Sequence, residues 1–162
     1  MNEVIIKMVI QMDFNIKVST HPIVCYETES IYEVAKKMKQ YDIGFIPVAN
    51  KKKQIIGVMT DRDIVTRALS NQEKKSCKIQ DYMTKHVYSI EKDKKITDAI
   101  EKMKKEKVTR LLVTDQKKLV GIISLFDLMK EKDAKLIFDV LKDIKRKETI
   151  VQIDTKIDDF YL

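Results

Sequence analysis

The chain has 162 residues, about one domain of material or two very small ones. Its 44% apolar content suffices for a core, while three glycines and no tryptophan exclude a P-loop, a dinucleotide fingerprint and an aromatic stacking platform. The net charge of +7 is almost all lysine; the only arginines are Arg62, Arg67, Arg110 and Arg146, and interleaved glutamates make this a solvated surface rather than the concentrated stripe of a nucleic-acid binder.

Cys25 and Cys77 show neither metal spacing nor a disulfide framework, which points to a reducing, cytoplasmic setting. The apolar stretch at 4–12 is too short to span a membrane, is interrupted by Lys7 and lacks a secretory cleavage signal.

In chain order, residues 1–17 form an extension that fits either a strand or a short helix. A strand is expected at 23–26. Ser30 then opens a helix, with Glu33 completing a capping box and Ile31, Val34, Ala35 and Met38 recurring at helical spacing. Strands at 44–49 and 54–59 form a hairpin through a lysine-rich turn, and a helix at 61–69 has Ile64, Val65 and Leu69 as its apolar face. After a linker at 70–76, Ile79 and Met83 sit on a short amphipathic turn. The order then recurs: strand 87–90, helix 96–105, hairpin 111–114 and 119–123, helix from Leu125. Lys95 stands where the first copy has Ser30, so that helix start should be less firmly fixed. Beyond the repeat, Ile137, Val140, Leu141 and Ile144 space as a further amphipathic helix, residues 149–153 as a last strand, and the acidic end as a loosely held tail. Tyr26, Tyr32 and Tyr41 read as core or rim residues.

The recurrence is a true repeat. Met38 and Met103 lie 65 positions apart, Gly57 and Gly121 lie 64 apart, and the one-residue difference falls between Val48 and Gly57, where a turn absorbs it. Both copies close on one template, Gly57-Val58-Met59-Thr60-Asp61-Arg62-Asp63 and Gly121-Ile122-Ile123-Ser124-Leu125-Phe126-Asp127. The fold class is α/β (α+β): two pseudo-symmetric β-α-β-β-α repeats packed face to face and sharing a core, with an extra C-terminal helix. The organisation is a 1–17 extension, a first repeat with linker at 18–76, a second repeat at 77–132, and a C-terminal helix and tail at 133–162.

This order, with Ser30-Ile31, Ile43-Gly44-Phe45-Ile46-Pro47-Val48 and the two Gly-x-x-[Thr/Ser]-x-x-Asp closes, resembles the tandem cystathionine-β-synthase (CBS) domain pair, or Bateman module. The resemblance covers about residues 14–130 and is tighter in copy one. It implies a non-catalytic regulatory module that binds AMP, ADP, ATP or S-adenosylmethionine between the copies, reports to a protein partner and forms a homodimer.

An adenosine ligand gives those residues roles. Asp63 and Asp127 can each accept hydrogen bonds from both ribose hydroxyls. Thr60 and Ser124, at helix starts, suit phosphate, with Arg62 and Arg110 as cations. By the resemblance, the adenine slot comprises Val24, Ile43, Phe45, Ile46, Pro47, Val87, Val108, Leu111 and Leu112. Thr60-x-x-Asp63 and Ser124-x-x-Asp127 equally fit capping boxes, which occur with no ligand at all. Asp61-Arg62 against Leu125-Phe126 makes the sites non-equivalent, copy one being expected to contribute the better-formed pocket. His21 and His86 occupy matching positions without the companions a metal site needs. No nucleophile stands beside an activating motif. The competing readings are a basic nucleic-acid-binding protein and a ligand-free dimeric scaffold.

Overall fold

The computed structural model describes residues 22–71, 74, 76–131 and 141–142. Strand β1 (Cys25–Tyr26) leads into helix α1 (Ile31–Tyr41), then β2 (Phe45–Ala49) and β3 (Ile55–Thr60). Helix α2 starts at Asp61–Asp63, continues as a π-turn at Ile64–Ala68 and ends in a 3-10 turn at Leu69–Asn71. The second copy repeats this with β4 (Ser89–Glu91), α3 (Ile96–Glu106), β5 (Arg110–Asp115), β6 (Lys118–Ser124) and α4 (Leu125–Glu131). Each copy forms a three-stranded sheet in which a parallel pair is followed by an antiparallel hairpin.

The sequence explains these elements locally. Ser30 Oγ accepts from the Glu33 amide at 3.2 Å, and Glu33 accepts from the Ser30 amide at 2.7 Å, so α1 starts with a complete capping box. At α3 only the return bond to a main-chain donor can form, Lys95 N–H to Asp98 at 3.1 Å, because an ammonium cannot accept. Pro47 lies in a central strand yet leaves no gap in the ladder. β1 pairs only with Val48 and Ala49, whereas β4 reaches one residue further, to Leu112, whose amide donates to Tyr88 O at 3.0 Å.

Both hairpins carry a register shift at equivalent positions, Val48/Ala49 and Val113/Thr114. The length difference therefore lies in the turns. In copy one Asn50 Oδ1 accepts from the Lys52 and Gln54 amides at 2.9 and 3.0 Å; in copy two Asp115 pairs with Lys118 across Gln116-Lys117.

The expectation of one shared core is corrected. Among the described residues the buried apolar side chains form two clusters, one per copy. In the first, Val34 and Met38 of α1 meet Ile46, Val48 and Met59 of the sheet; in the second, Ala99, Ile100 and Met103 of α3 meet Leu111, Val113 and Ile123. Strand alternation sends Pro47, Ala49, Val58 and Leu112 to the opposite face, where they are buried without belonging to either cluster. This second face is turned toward the other copy: Ala49 and Leu112 line the cleft that both copies build, and Phe45 lies under Arg110.

One further expectation is revised, the apolar face of the 61–69 helix. Ile64 and Ala68, one turn apart, point into the core, while Val65 (58% exposed) and Leu69 (55%) lie on the next face and point out. Of the two places expected for Tyr26, Tyr32 and Tyr41, core or rim, the core is ruled out: all three are exposed, and Tyr26 lines the cleft between the copies. Residues 77–84 pack on copy one. Ile31 N–H donates to Cys77 O, Val58 and Thr84 exchange two bonds of 2.9 Å, and Ile79 and Met83 are buried in the first core. The 1–17 extension, His21, most of the 137–144 stripe, the 149–153 strand and the tail lie outside the described residues; of the stripe, Leu141 is described and packs against the second core.

Gly57 makes the close approach of this segment possible. A Cβ there would lie 2.7 Å from Met83 Sδ and 2.9 Å from Thr84 O. The thioether can move but the carbonyl is held by the Val58 bridge. Gly57→Ala is therefore expected to destabilise the fold by roughly 1–3 kcal/mol, measured by urea unfolding; an unchanged midpoint would contradict this packing.

Candidate functional site

The two hydroxyl–x–x–aspartate turns have the same geometry. Where β3 ends, Thr60 Oγ1 accepts from Asp63 N–H at 3.0 Å, and Asp63 Oδ2 accepts from Thr60 N–H and Oγ1–H at 3.0 and 2.8 Å. Where β6 ends, Ser124 Oγ accepts from Asp127 N–H at 3.1 Å, and Asp127 Oδ2 accepts from Ser124 N–H and Oγ–H at 2.9 and 2.6 Å. Both capping boxes are thus closed by the chain's own groups. They fix one oxygen of each carboxylate and leave the other to its surroundings.

Those surroundings differ. Asp63 is buried (7% exposed), and its Oδ1 lies 3.3 Å from Arg67 Nη2. Arg67 Nη1 also donates to Tyr82 O at 3.0 Å and Thr84 Oγ1 at 3.1 Å, tying the carboxylate to the segment that leads into copy two. Asp127 is half-buried, and its Oδ1 has no partner among the described residues. The organised carboxylate is in copy one and the uncommitted acceptor is in copy two. Arg67 was not singled out from the sequence, although its i,i+4 spacing from Asp63 is the usual signal of such a pair.

The helix starts are less open to phosphate than their positions imply. Asp61 Oδ1 accepts from Arg62 N–H at 2.7 Å, and a Cβ on Gly44 would lie 2.7 Å from Asp61 Oδ2. In copy one the carboxylate of Asp61 therefore occupies the space over Gly44 at the helix start. In copy two Leu125 stands there, its amide donating to Thr109 O at 2.8 Å. Arg62 is exposed. The Arg110 guanidinium lies 5.8 Å from the Phe45 ring centroid. Phe45 and Arg110 are equivalent positions of the repeat, so this cation–π contact joins the two copies beside their pseudo-two-fold axis.

The expected adenine slot is only partly assembled. Val24, Val87 and Leu112 line a cleft of about 1020 Å³ between the copies. Pro47 is buried on the inter-copy face, Phe45 lies under Arg110, and Ile43 and Val108 are half-buried against their own cores. Ile46 and Leu111 are fully buried on the helix side, so only their main chain can face a ligand. Thr60, Arg62, Asp63, Arg110, Ser124 and Asp127 are not on the lining of this cleft. Cys25 is no candidate nucleophile: burial first, and then Glu29, push its thiol up to about 11. His86 packs edge-on against Tyr88 with centroids 4.6 Å apart. No described helix is long and apolar enough to cross a membrane.

Comparison with known proteins places this geometry. The family model for the CBS domain matches the chain twice, at residues 13–70 and 79–134. The chain belongs to the CBS domain family. YlbB of Bacillus subtilis is 37% identical over 105 residues, 64% of this chain and 71% of that protein. MK0525 of Methanopyrus kandleri is 33% identical over 104 residues, 63% of this chain and 53% of that one. The CBS domain pair of protein MJ0100, solved in complex with 5′-methylthioadenosine and S-adenosyl-L-methionine, is 26% identical and superposes with a TM-score of 0.64, covering 72% of this chain and 91% of that one. The repeats are thus a tandem CBS pair.

Arg67 provides a test of how the first motif is held. Arg67→Ala removes the ion pair and both hydrogen bonds from the guanidinium to uncharged oxygens, all of them weakened by the guanidinium's solvation. A loss of roughly 1–2 kcal/mol is expected from chemical denaturation. A loss within error of zero would mean that the contacts at Tyr82 and Thr84 do not secure the turn.

Proposed function

We propose that this CBS pair is a non-catalytic regulatory module that binds an adenosine-containing ligand between its copies and reports occupancy to a protein partner. The preferred ligand is AMP, with ADP, ATP and S-adenosylmethionine as alternatives. The observation that carries this reading is the pair of identically built turns whose carboxylates keep a second oxygen for a further donor. At Asp127 that oxygen is uncommitted among the described residues; at Asp63 it is shared with Arg67. A vicinal diol offers two donors to such a carboxylate. Arg110, on the face of Phe45, is a cation that a phosphate could recruit. MJ0100, a CBS pair with this fold, was solved with two adenosine compounds bound.

The module acts as a cytoplasmic homodimer in this reading. Tyr32, Val65 and Leu69 leave apolar surface on the outside of the copy-one helices (57%, 58% and 55% exposed), and a second chain would cover it.

The test is thermal unfolding with AMP, ADP, ATP or S-adenosylmethionine, on wild type and on Asp63→Ala and Asp127→Ala. A ligand at about 100 times its Kd should add about 2.7 kcal/mol of stability, a rise of roughly 5–10 °C for a chain of this size. The shift should shrink in the aspartate variants. No shift with any of the four compounds, or shifts unaffected by either substitution, would refute the adenosine reading.

A further inference from the structure

The cleft between the copies is built from equivalent positions. Pro22 faces it with Val87, Ala49 with Thr114, and Ile55 with Leu119. It therefore lies on the pseudo-two-fold axis, with apolar walls from both sheets. The two hairpin turns bring Lys52 and Lys53 from one copy and Lys117 and Lys118 from the other to its edge. These four side chains make no ion pair or hydrogen bond among the described residues. Asp115, at the base of the second hairpin, is already matched by Lys92 at 2.6 Å. Glu91 is the single acid on the lining and accepts from Thr114 Oγ1 at 2.9 Å, so four lysines and one carboxylate leave a formal charge of +3.

The backbone of the turns adds an independent observation. Lys53 (φ 61°) and Lys117 (φ 66°) are equivalent, and both are left-handed. Glycine or asparagine suits such a position, and another side chain costs about 1 kcal/mol there. Both copies nevertheless carry lysine, and both lysines lie at the cleft. Tight hairpin turns require left-handed residues, as at Gln116 (φ 49°) beside Lys117, and this conformation sets both lysines at the turn tips beside the cleft.

The geometry points to a ligand site on the axis for a phosphorylated molecule with an apolar body, separate from the two hydroxyl–x–x–aspartate turns. The apolar walls take the body and the lysines hold the phosphoryl oxygens as point charges. Five residue steps of β3 separate Ile55 from Thr60, roughly 16 Å along the strand. A mononucleotide held by its ribose at Asp63 cannot set its α-phosphate among these lysines. Because each copy supplies two of the four lysines, an occupant draws the two hairpins together and joins the copies at the end remote from Phe45 and Arg110.

Calorimetric titration of inorganic tripolyphosphate, which has no ribose, tests the site. Wild type should bind one equivalent per chain. The double variant Lys53→Gly/Lys117→Gly relieves the left-handed strain and should melt no lower than wild type, yet bind at least tenfold more weakly. Lys52→Glu/Lys118→Glu should bind at least tenfold more weakly as well, and Asp127→Asn should bind as wild type does. The aryl sulfonate 1-anilinonaphthalene-8-sulfonate, which has apolar rings and one negative charge, should fluoresce in the cleft and be displaced by tripolyphosphate. The site is overturned if wild type does not bind tripolyphosphate, if the lysine variants bind it normally, if Asp127→Asn weakens it equally, or if the dye is not displaced. The response of wild type to AMP is read separately, so the adenosine reading can fail while this site stands, or the reverse.

Discussion

Each three-stranded sheet has two faces and only one set of helices. In copy one the helix side takes Ile46, Val48 and Met59, and the other side is left with Pro47, Ala49 and Val58. A sheet this small cannot leave a second apolar face in water, and the twin covers it. This constraint puts the hairpin turns side by side, sets Phe45 opposite Arg110, and opens a groove along the pseudo-two-fold axis. The site geometry follows from covering that second face, since neither copy by itself encloses the groove.

Duplication also lets the copies diverge without changing the frame. The capping box that starts each second helix holds its carboxylate in the same orientation, so substitutions nearby alter what the carboxylate can do rather than where it is. In copy one Arg67 engages Asp63 and reaches Tyr82 and Thr84, and Asp61 covers Gly44. In copy two Leu125 replaces Asp61, and Asp127 keeps an oxygen free of protein partners among the described residues. A buried acceptor that is already satisfied gives little to a new donor, whereas an unsatisfied one gains a full charge-assisted bond. The module therefore presents one secured turn and one receptive turn.

Much of this was legible in the sequence because periodicity and spacing encode it directly. The Ser30-Glu33 cap, the hairpins and the carboxylate turns each depend on residues within a few positions of each other, and the repeat shows as the same local pattern recurring 64–65 positions later. What was not legible depends on phase or on distant partners. Val65 and Leu69 match a helical stripe, but Ile64 and Ala68 form an adjacent one, and the packing of the helix on the core selects the latter. One shared core is what two short copies imply, since they are too few for a solenoid, but repeat length does not show that each sheet fills its helix side by itself. Arg67 meets Tyr82 and Thr84 across the linker, a contact that no local pattern signals. The lysine turns read as solvated surface, and only the pairing of the copies brings them to one cleft.

The claim that the copies stabilise each other through their second faces is tested most directly by native-state hydrogen exchange on Leu112→Ser. Leu112 is 2% exposed and belongs to neither helix-side cluster. If the faces are mutually buried, truncating this side chain should lower the opening free energy of the β2 and β3 amides in copy one as well as those of β5 and β6, by roughly 2 kcal/mol in both. Loss of protection in copy two alone, with copy one unchanged, would contradict the account.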